Sequence, residues 1–357
     1  MEIRIEKTAK QKHIPTQEEL GDIKFGTVFT DHMLLINYSE GKGWYDARIV
    51  PYGPVSLDPA ACCLHYGQLI FEGMKAYKAK DGGVVMFRPE QNMERMNQSC
   101  DRMCIAPIKE SEMLEAIAEL VRIDSAWVPS VPGTALYVRP FIYADEPFLG
   151  VHPSSSFTFA TILSPVGPYF KGGLTPTRIY VEDNYVRAVR GGTGAAKCAG
   201  NYAASLKAQN EATAAGYAQV LYLDGAERKY IEELGGMNVF FVIDDEVVTP
   251  ELNGSILPGI TRKSVIEVVR SWGMKARECA ISIQELADAN KAGRATEAFC
   301  AGTAAVISPI GELKWRDKVM IFNDGKIGAT TQRIYDEITG IQTGAVADKF
   351  GWLYKVC

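Results

Sequence analysis

From Gly191 to Tyr202 the chain reads Gly-Gly-Thr-Gly-Ala-Ala-Lys-Cys-Ala-Gly-Asn-Tyr, and Lys197 is the only charged residue in that run. An ammonium group is strongly hydrated and normally stays on the surface beside acidic partners. Here small residues flank it, so backbone can approach a bulky ligand and the amine can be desolvated. Desolvation disfavours the charged form and frees the nitrogen lone pair to attack a carbonyl. The plain alternative is a solvated lysine in a Gly-rich surface loop. A magnesium-nucleotide loop is disfavoured, because Cys198 follows the lysine where a Ser or Thr would be needed.

A lysine that condenses with an aldehyde cofactor needs companions of definite kinds. A cofactor phosphate needs an arginine or a cluster of backbone N–H groups, and a pyridine nitrogen needs an acid to hold its proton. Arg95, in Asn92-Met93-Glu94-Arg95-Met96, offers a guanidinium on a helix just after a strand. Its alternative role is a surface pair with Glu94 or Asp101. Glu232 and Glu233 stand ahead of Gly235-Gly236 and an apolar strand, and read otherwise as a charged turn. Thr261, after Leu257-Pro258-Gly259-Ile260, marks a helix start that can meet an anion or simply cap itself. Gly302-Thr303-Ala304-Ala305 is a small-residue turn able to present N–H groups, or a site of tight backbone packing.

The elements that must position these residues follow from pattern. Strands are expected over 26–38, 83–87, 135–144, 156–163, 178–182, 217–223 and 237–242, and helices over 89–104, 111–127, 202–215 and 261–272. Ser282-Ile283-Gln284-Glu285 is a capping box opening a helix through Lys291. The stretch from Ser164 to Pro176, dense in Pro and Gly, reads as a linker. It divides the chain into an N-terminal α/β domain (1–164), an interdomain loop (165–177) and a larger C-terminal domain (178–357). Strands and helices alternate without a βαβ rhythm or a Gly-x-Gly-x-x-Gly fingerprint, so an α+β class is expected rather than a dinucleotide fold.

With 357 residues and 47% apolar content, the chain has the makeup of an ordinary globular protein of two domains. A net charge of -5 without a basic block argues against nucleic acid as a partner. Apolar runs are of strand length, far short of a bilayer span, and the N-terminus lacks the apolar stretch of a secretory signal. No membrane partner and a cytoplasmic location are the expectations. The 8 cysteines contain no Cys-x-x-Cys pair and the 4 histidines stand singly, so neither a zinc site nor a disulfide framework is expected.

Taken in order along the chain, these stretches resemble the branched-chain amino acid aminotransferases of the fold type IV group of pyridoxal phosphate enzymes. The resemblance is carried by Phe25 to Met33, His65-Tyr66-Gly67-Gln68-Leu69-Ile70-Phe71-Glu72-Gly73-Met74-Lys75-Ala76-Tyr77, Asn92 to Met96, Tyr137-Val138-Arg139-Pro140, the Lys197 loop, Glu233 to Asn238 and Leu257 to Arg262. It implies a two-domain architecture with pyridoxal 5′-phosphate bound through Lys197 as the Schiff-base lysine. Arg95, Ile260, Thr261 and Thr303 are implied as phosphate contacts, Glu233 as the acid at the ring nitrogen, and Tyr202 as the partner of the cofactor's phenolate.

The implied reaction is ping-pong transamination of L-leucine, L-isoleucine and L-valine with 2-oxoglutarate, with Lys197 as general base. Phe25, Tyr66, Phe71, Tyr137 and Tyr169 are implied as the wall around the aliphatic side chain. Arg139 and the Tyr66 hydroxyl are implied for the distal carboxylate of glutamate, and Thr303 with Ala304 for the α-carboxylate. Leu149 and Val151 match positions that the family places near a partner's site, so a homodimer is expected. One departure is informative. Where some family members carry a Cys-x-x-Cys redox pair, this chain has Ala305 and Ser308, and no dithiol can close there. The readings that compete are another fold type IV enzyme, such as a D-amino acid aminotransferase or an aminodeoxychorismate lyase, and a cofactor-retaining protein without turnover.

Overall fold

The computed structural model describes residues 1–167 and 174–357. The chain forms two compact units. The first comprises 1–171, 196–199 and 341–357, and the second 172–195 and 200–340. The sequence marks a single boundary near 165–177, whereas the chain also passes into and out of the first unit around Lys197 and again after residue 340.

The first unit is built on a nine-stranded sheet. Its order is Arg4–Ile5, Gly43–Pro51, His32–Ser39, Ser156–Val166, Ala135–Ala144, Met74–Lys78, Val84–Phe87 and Leu353–Lys355, with Leu69–Phe71 also pairing on Ala135–Ala144. Neighbours are antiparallel except for the Arg4–Ile5 edge. Helices Pro89–Arg102 and Glu110–Ile123 supply Met93, Met96, Cys100, Met113, Ile117 and Leu120 to its core. Pro89 fits the first turn of its helix, where no N–H is needed. The second helix ends earlier than its apolar periodicity suggests. Asp124 turns its carboxylate to the His32 imidazole, 2.6 Å away, and a short 3-10 turn, Ser125–Trp127, follows. The strand expected from Gly26 begins only at His32, because residues 24–27 form a turn in which Gly26 has φ 72°.

The second unit holds another nine-stranded sheet, ordered Ile231–Leu234, Gln219–Leu223, Thr177–Glu182, Val306–Trp315, Ala295–Gly302, Asn238–Ile243, Glu246–Thr249 and Ala276–Glu278, with Lys318–Ile321 on Val306–Trp315. Ile231–Leu234 also pairs with Asn238–Ile243, which closes six of these strands into a ring. The acidic pair Glu232-Glu233 therefore lies on a buried strand and not on a charged turn. Around the ring stand helices Ala199–Ala214, Ile260–Ser271, Ile283–Lys291 and Ala329–Gln342. The capping box expected at Ser282 is formed, with both the Ser282 and Glu285 side chains engaged. Among the described residues no helix is long and apolar enough to cross a membrane.

Candidate active site

In the first unit, helix Pro89–Arg102 presents two faces. Asn92, Arg95 and Ser99, spaced by three and four residues, lie one above another and form a buried polar stripe beside the apolar one. Arg95 Nε and Nη2 donate to the two carboxylate oxygens of Glu72, each at 2.8 Å, and Asn92 Nδ2 donates to Glu72 Oε2 at 2.8 Å. The fork geometry uses two of the five guanidinium N–H donors. The carboxylate that receives the Arg95 fork is that of Glu72, and Glu94 accepts from Gln91 Nε2 at 2.9 Å. Glu72 is 0% exposed. Burial alone would raise its pKa, yet the Arg95 charge and hydrogen bonds, with a further pull from Lys197, hold it below the usual carboxylate value.

Lys197 is fastened by its backbone. Its N–H donates to Ser99 Oγ at 2.9 Å, its carbonyl accepts from Phe71 N–H at 3.0 Å, and Cys198 bridges to Ile70. The side chain is half-buried, with Nζ 4.7 Å from the Phe71 ring centroid. The strand edge after Phe71 also shapes an aromatic wall. Tyr137 is buried, packs edge-on against the more exposed Phe25 at 4.9 Å, and accepts a hydrogen bond from Arg139 Nη2 at 3.1 Å. Gly73 permits this, since a Cβ there would lie 2.0 Å from the Tyr137 hydroxyl. The Arg139 guanidinium sits 4.7 Å from the Phe71 centroid and 5.2 Å from that of Tyr137. Its Nε is buried without a hydrogen-bond partner, and no carboxylate of the described residues pairs with it. The Tyr66 hydroxyl donates to the Leu149 carbonyl. Tyr169 lies outside the described residues.

In the second unit, Glu233 stands where the strand ring closes, in register with Asn238. Its carboxylate accepts from Leu257 N–H at 2.9 Å and from Asn238 Nδ2 at 3.1 Å. Arg187 Nη1 lies 2.9 Å from Glu233 Oε1, close enough to pair but misaligned for a hydrogen bond. Arg187 Nε is likewise buried without an acceptor. Alternation along the strand turns Glu232 the other way, to the Ser255 hydroxyl and to Asn253 Nδ2 at 3.3 Å. Tyr202, at the start of helix Ala199–Ala214, has its ring centroid 5.9 Å from the Arg187 guanidinium carbon.

Asn238 also donates to the Leu257 carbonyl at 3.0 Å and so ties Glu233 to the start of helix Ile260–Ser271. Gly259 precedes that helix because a Cβ would fall 2.0 Å from Asn238 Oδ1. With glycine as N-cap, no side chain caps the helix, and the first-turn residues Ile260 and Thr261 are buried. Such an end, rich in N–H groups and positive in its dipole, suits an anion. Thr303 and Ala304 occupy the three-residue turn between strands Ala295–Gly302 and Val306–Trp315. The turn closes on Val306 at φ 61°, a left-handed conformation that costs a β-branched residue energy.

The structure thus brings Arg95, Lys197, Phe71, Tyr137 and Arg139 together in the first unit, and Glu233, Tyr202, Ile260, Thr261, Thr303 and Ala304 onto the second. Sequence reasoning missed Glu72, Ser99 and Arg187. An acid inside the apolar run Leu69-Ile70-Phe71-Glu72-Gly73-Met74 was an available signal for Glu72. Ser99 and Arg187 carry no local signal.

Residues 69–313 match the family model described as amino-transferase class IV. The chain is 56% identical over 354 residues, covering 99% of it and 97% of the relative, to branched-chain-amino-acid aminotransferase 2 of Bacillus subtilis (strain 168). It is 53% identical over 355 residues, 99% of each chain, to branched-chain-amino-acid transaminase 1 of the same organism. Its fold is similar to the crystal structure of a T.th. branched-chain amino acid aminotransferase with pyridoxamine 5′-phosphate, at TM-score 0.76 and 27% identity, covering 91% of this chain and 98% of that one. On its sequence and its fold alike, the chain belongs to the class IV aminotransferases, among their branched-chain amino acid members.

Proposed function

We propose that the protein transfers the amino group of L-leucine, L-isoleucine or L-valine to 2-oxoglutarate, releasing the branched-chain 2-oxo acid and L-glutamate. The cofactor is pyridoxal 5′-phosphate, as in the class IV aminotransferases. The residues present fit that group. An uncapped, buried helix start suits a phosphate, the buried Glu233 carboxylate suits a ring N–H, and Arg187 Nε, buried without an acceptor, leaves room for a further polar partner.

In this reading Arg95, Ile260, Thr261 and Thr303 hold the phosphate, Glu233 keeps a proton on the pyridine nitrogen, and Tyr202 meets the phenolate oxygen. When bound, the cofactor supplies an electrophilic aldehyde carbon and a ring that accepts electron density. Lys197 Nζ takes the proton from the substrate Cα and is the group that can return it. Phe25, Tyr66, Phe71, Tyr137 and Tyr169 surround the aliphatic side chain. Thr303 and Ala304 orient the α-carboxylate, and Arg139 meets the distal one, joined by the Tyr66 hydroxyl when its proton turns from the Leu149 carbonyl to the substrate. The exposed Phe148, Leu149 and Val151, at 49%, 65% and 85%, support a homodimer in which Leu149 and Val151 approach the partner's site. A cytoplasmic location goes with this reading.

The observation that carries it is Arg139, one guanidinium in an aromatic wall with no carboxylate pairing with it among the described residues. A pocket that takes both leucine and glutamate needs mostly apolar surface and one cation. Steady-state kinetics of Arg139→Ala test this. The expected result is about a hundredfold loss of kcat/KM for 2-oxoglutarate and less than about tenfold for leucine. Equal losses for the two would remove the dual role.

A further inference from the structure

We propose that Cys62, Glu146 and His152 form a binding site for one divalent cation of the zinc class. A sulfur, a carboxylate oxygen and an imidazole nitrogen, one from each residue, all lie within 4.8 Å of one another, and His152 Nε2 is 3.7 Å from Glu146 Oε2. A tetrahedral zinc with bonds of about 2.0–2.3 Å sets its ligand atoms roughly 3.3–3.8 Å apart, so only a small closing movement is required.

Two of the three ligands are already held by backbone. Cys62 N–H donates to the Glu146 carbonyl at 3.0 Å, Phe148 N–H donates to the Ala60 carbonyl at 3.1 Å, and Ala61 bridges to Pro147. The carboxylate is oriented by Ser155 N–H, which donates to Glu146 Oε2 at 2.7 Å. Phe148 meets the His152 ring edge-on at 4.4 Å and positions the imidazole. Oriented ligands with such supporting contacts are what a metal site needs. The thiol now donates to the Phe148 carbonyl at 3.4 Å.

The donor set chooses the metal. Thiolate and imidazole favour zinc over magnesium or calcium, which take oxygen ligands. Cys62 is 1% exposed and His152 is exposed, so the cation enters from the histidine side and keeps a water as fourth ligand. On binding, the Cys62 thiol proton passes to solvent, and affinity therefore rises with pH. Nothing along the chain hints at this site, since its ligands lack Cys-x-x-Cys or His-pair spacing and meet only through the fold.

The test uses the holoenzyme in a Cys104→Ser/Cys357→Ser background, which removes the two exposed thiols. Zinc is titrated by calorimetry, with bound metal counted by elemental analysis after dialysis. The expected result is one zinc per chain, with affinity reduced about tenfold or more in both Cys62→Ser and His152→Ala. Cobalt(II) in place of zinc should give the intense visible bands of a tetrahedral thiolate site, to the red of cofactor absorption, and lose them in both variants. His152 lies outside the core beside the loop residues Leu149 and Val151, so its variant, checked for retained dimer mass, does not depend on how the buried cysteine variant folds. Zinc binding unchanged in His152→Ala, or no stoichiometric binding by the parent protein, would overturn the proposal.

Discussion

Glu72 shows how a single buried residue can organise others. It is fully buried, and its two oxygens receive Arg95 and Asn92. A buried pair of this kind contributes little relative to apolar packing, but breaking it leaves an uncompensated charge. Glu72→Gln is therefore expected to cost about 3 kcal/mol of stability and to weaken cofactor retention about tenfold, read by chemical denaturation and by dialysis against excess buffer. Glu72→Asp, which keeps the charge on a shorter arm, should recover part of the retention. An unchanged Glu72→Gln protein would mean that Arg95 does not depend on this carboxylate. Lys197 stands out in the sequence as the one charge among small residues, whereas Arg95 and Glu233 read locally as a helix cation and a charged turn, and only the ordered run of motifs singles them out. The pairing of Glu72 with Arg95 is not legible there, because it joins a strand edge to a helix.

At the scale of elements, local signals translated well. The Ser282 capping box and the strand over 135–144 appear as their sequences indicate, since caps and alternation act within a few residues. Ring closure between Glu233 and Asn238 is a tertiary pairing, and an acidic dipeptide before two glycines reads locally as a turn. That closure makes helix Ile260–Ser271 and the Glu233 carboxylate one mechanical assembly, joined through Asn238 and Leu257. Gly259→Ala forces a methyl group against Asn238 Oδ1, so one substitution should disturb both the start of helix Ile260–Ser271 and Glu233. We expect cofactor affinity to fall about tenfold, measured by titration of apoenzyme, with far-ultraviolet circular dichroism unchanged. Unaltered affinity would separate the helix start from the acid.

For the molecule as a whole, a buried amine sets a pH signature. Burial pushes Lys75 down from 10.5 to about 8. Below pH 8 both folded and unfolded states carry its proton, and burial makes the charged form costlier in the folded state. Between pH 8 and 10.5 the folded state has lost that proton while the unfolded state retains it, so this contribution to stability rises with pH. The stability of Lys75→Met relative to the parent should thus fall as pH rises from 8 to 10.5, read in denaturant melts at several pH values. A constant difference at all pH values would contradict the assignment.

Lys75 is also the natural internal control for the identity of Lys197 as the amine that joins the cofactor. The holoenzyme is reduced with borohydride, digested, and the phosphopyridoxyl group located by mass spectrometry. The label should sit on the peptide carrying Lys197 and vanish in Lys197→Ala; a label on Lys75, or none on the parent protein, would rule out Schiff-base chemistry at Lys197.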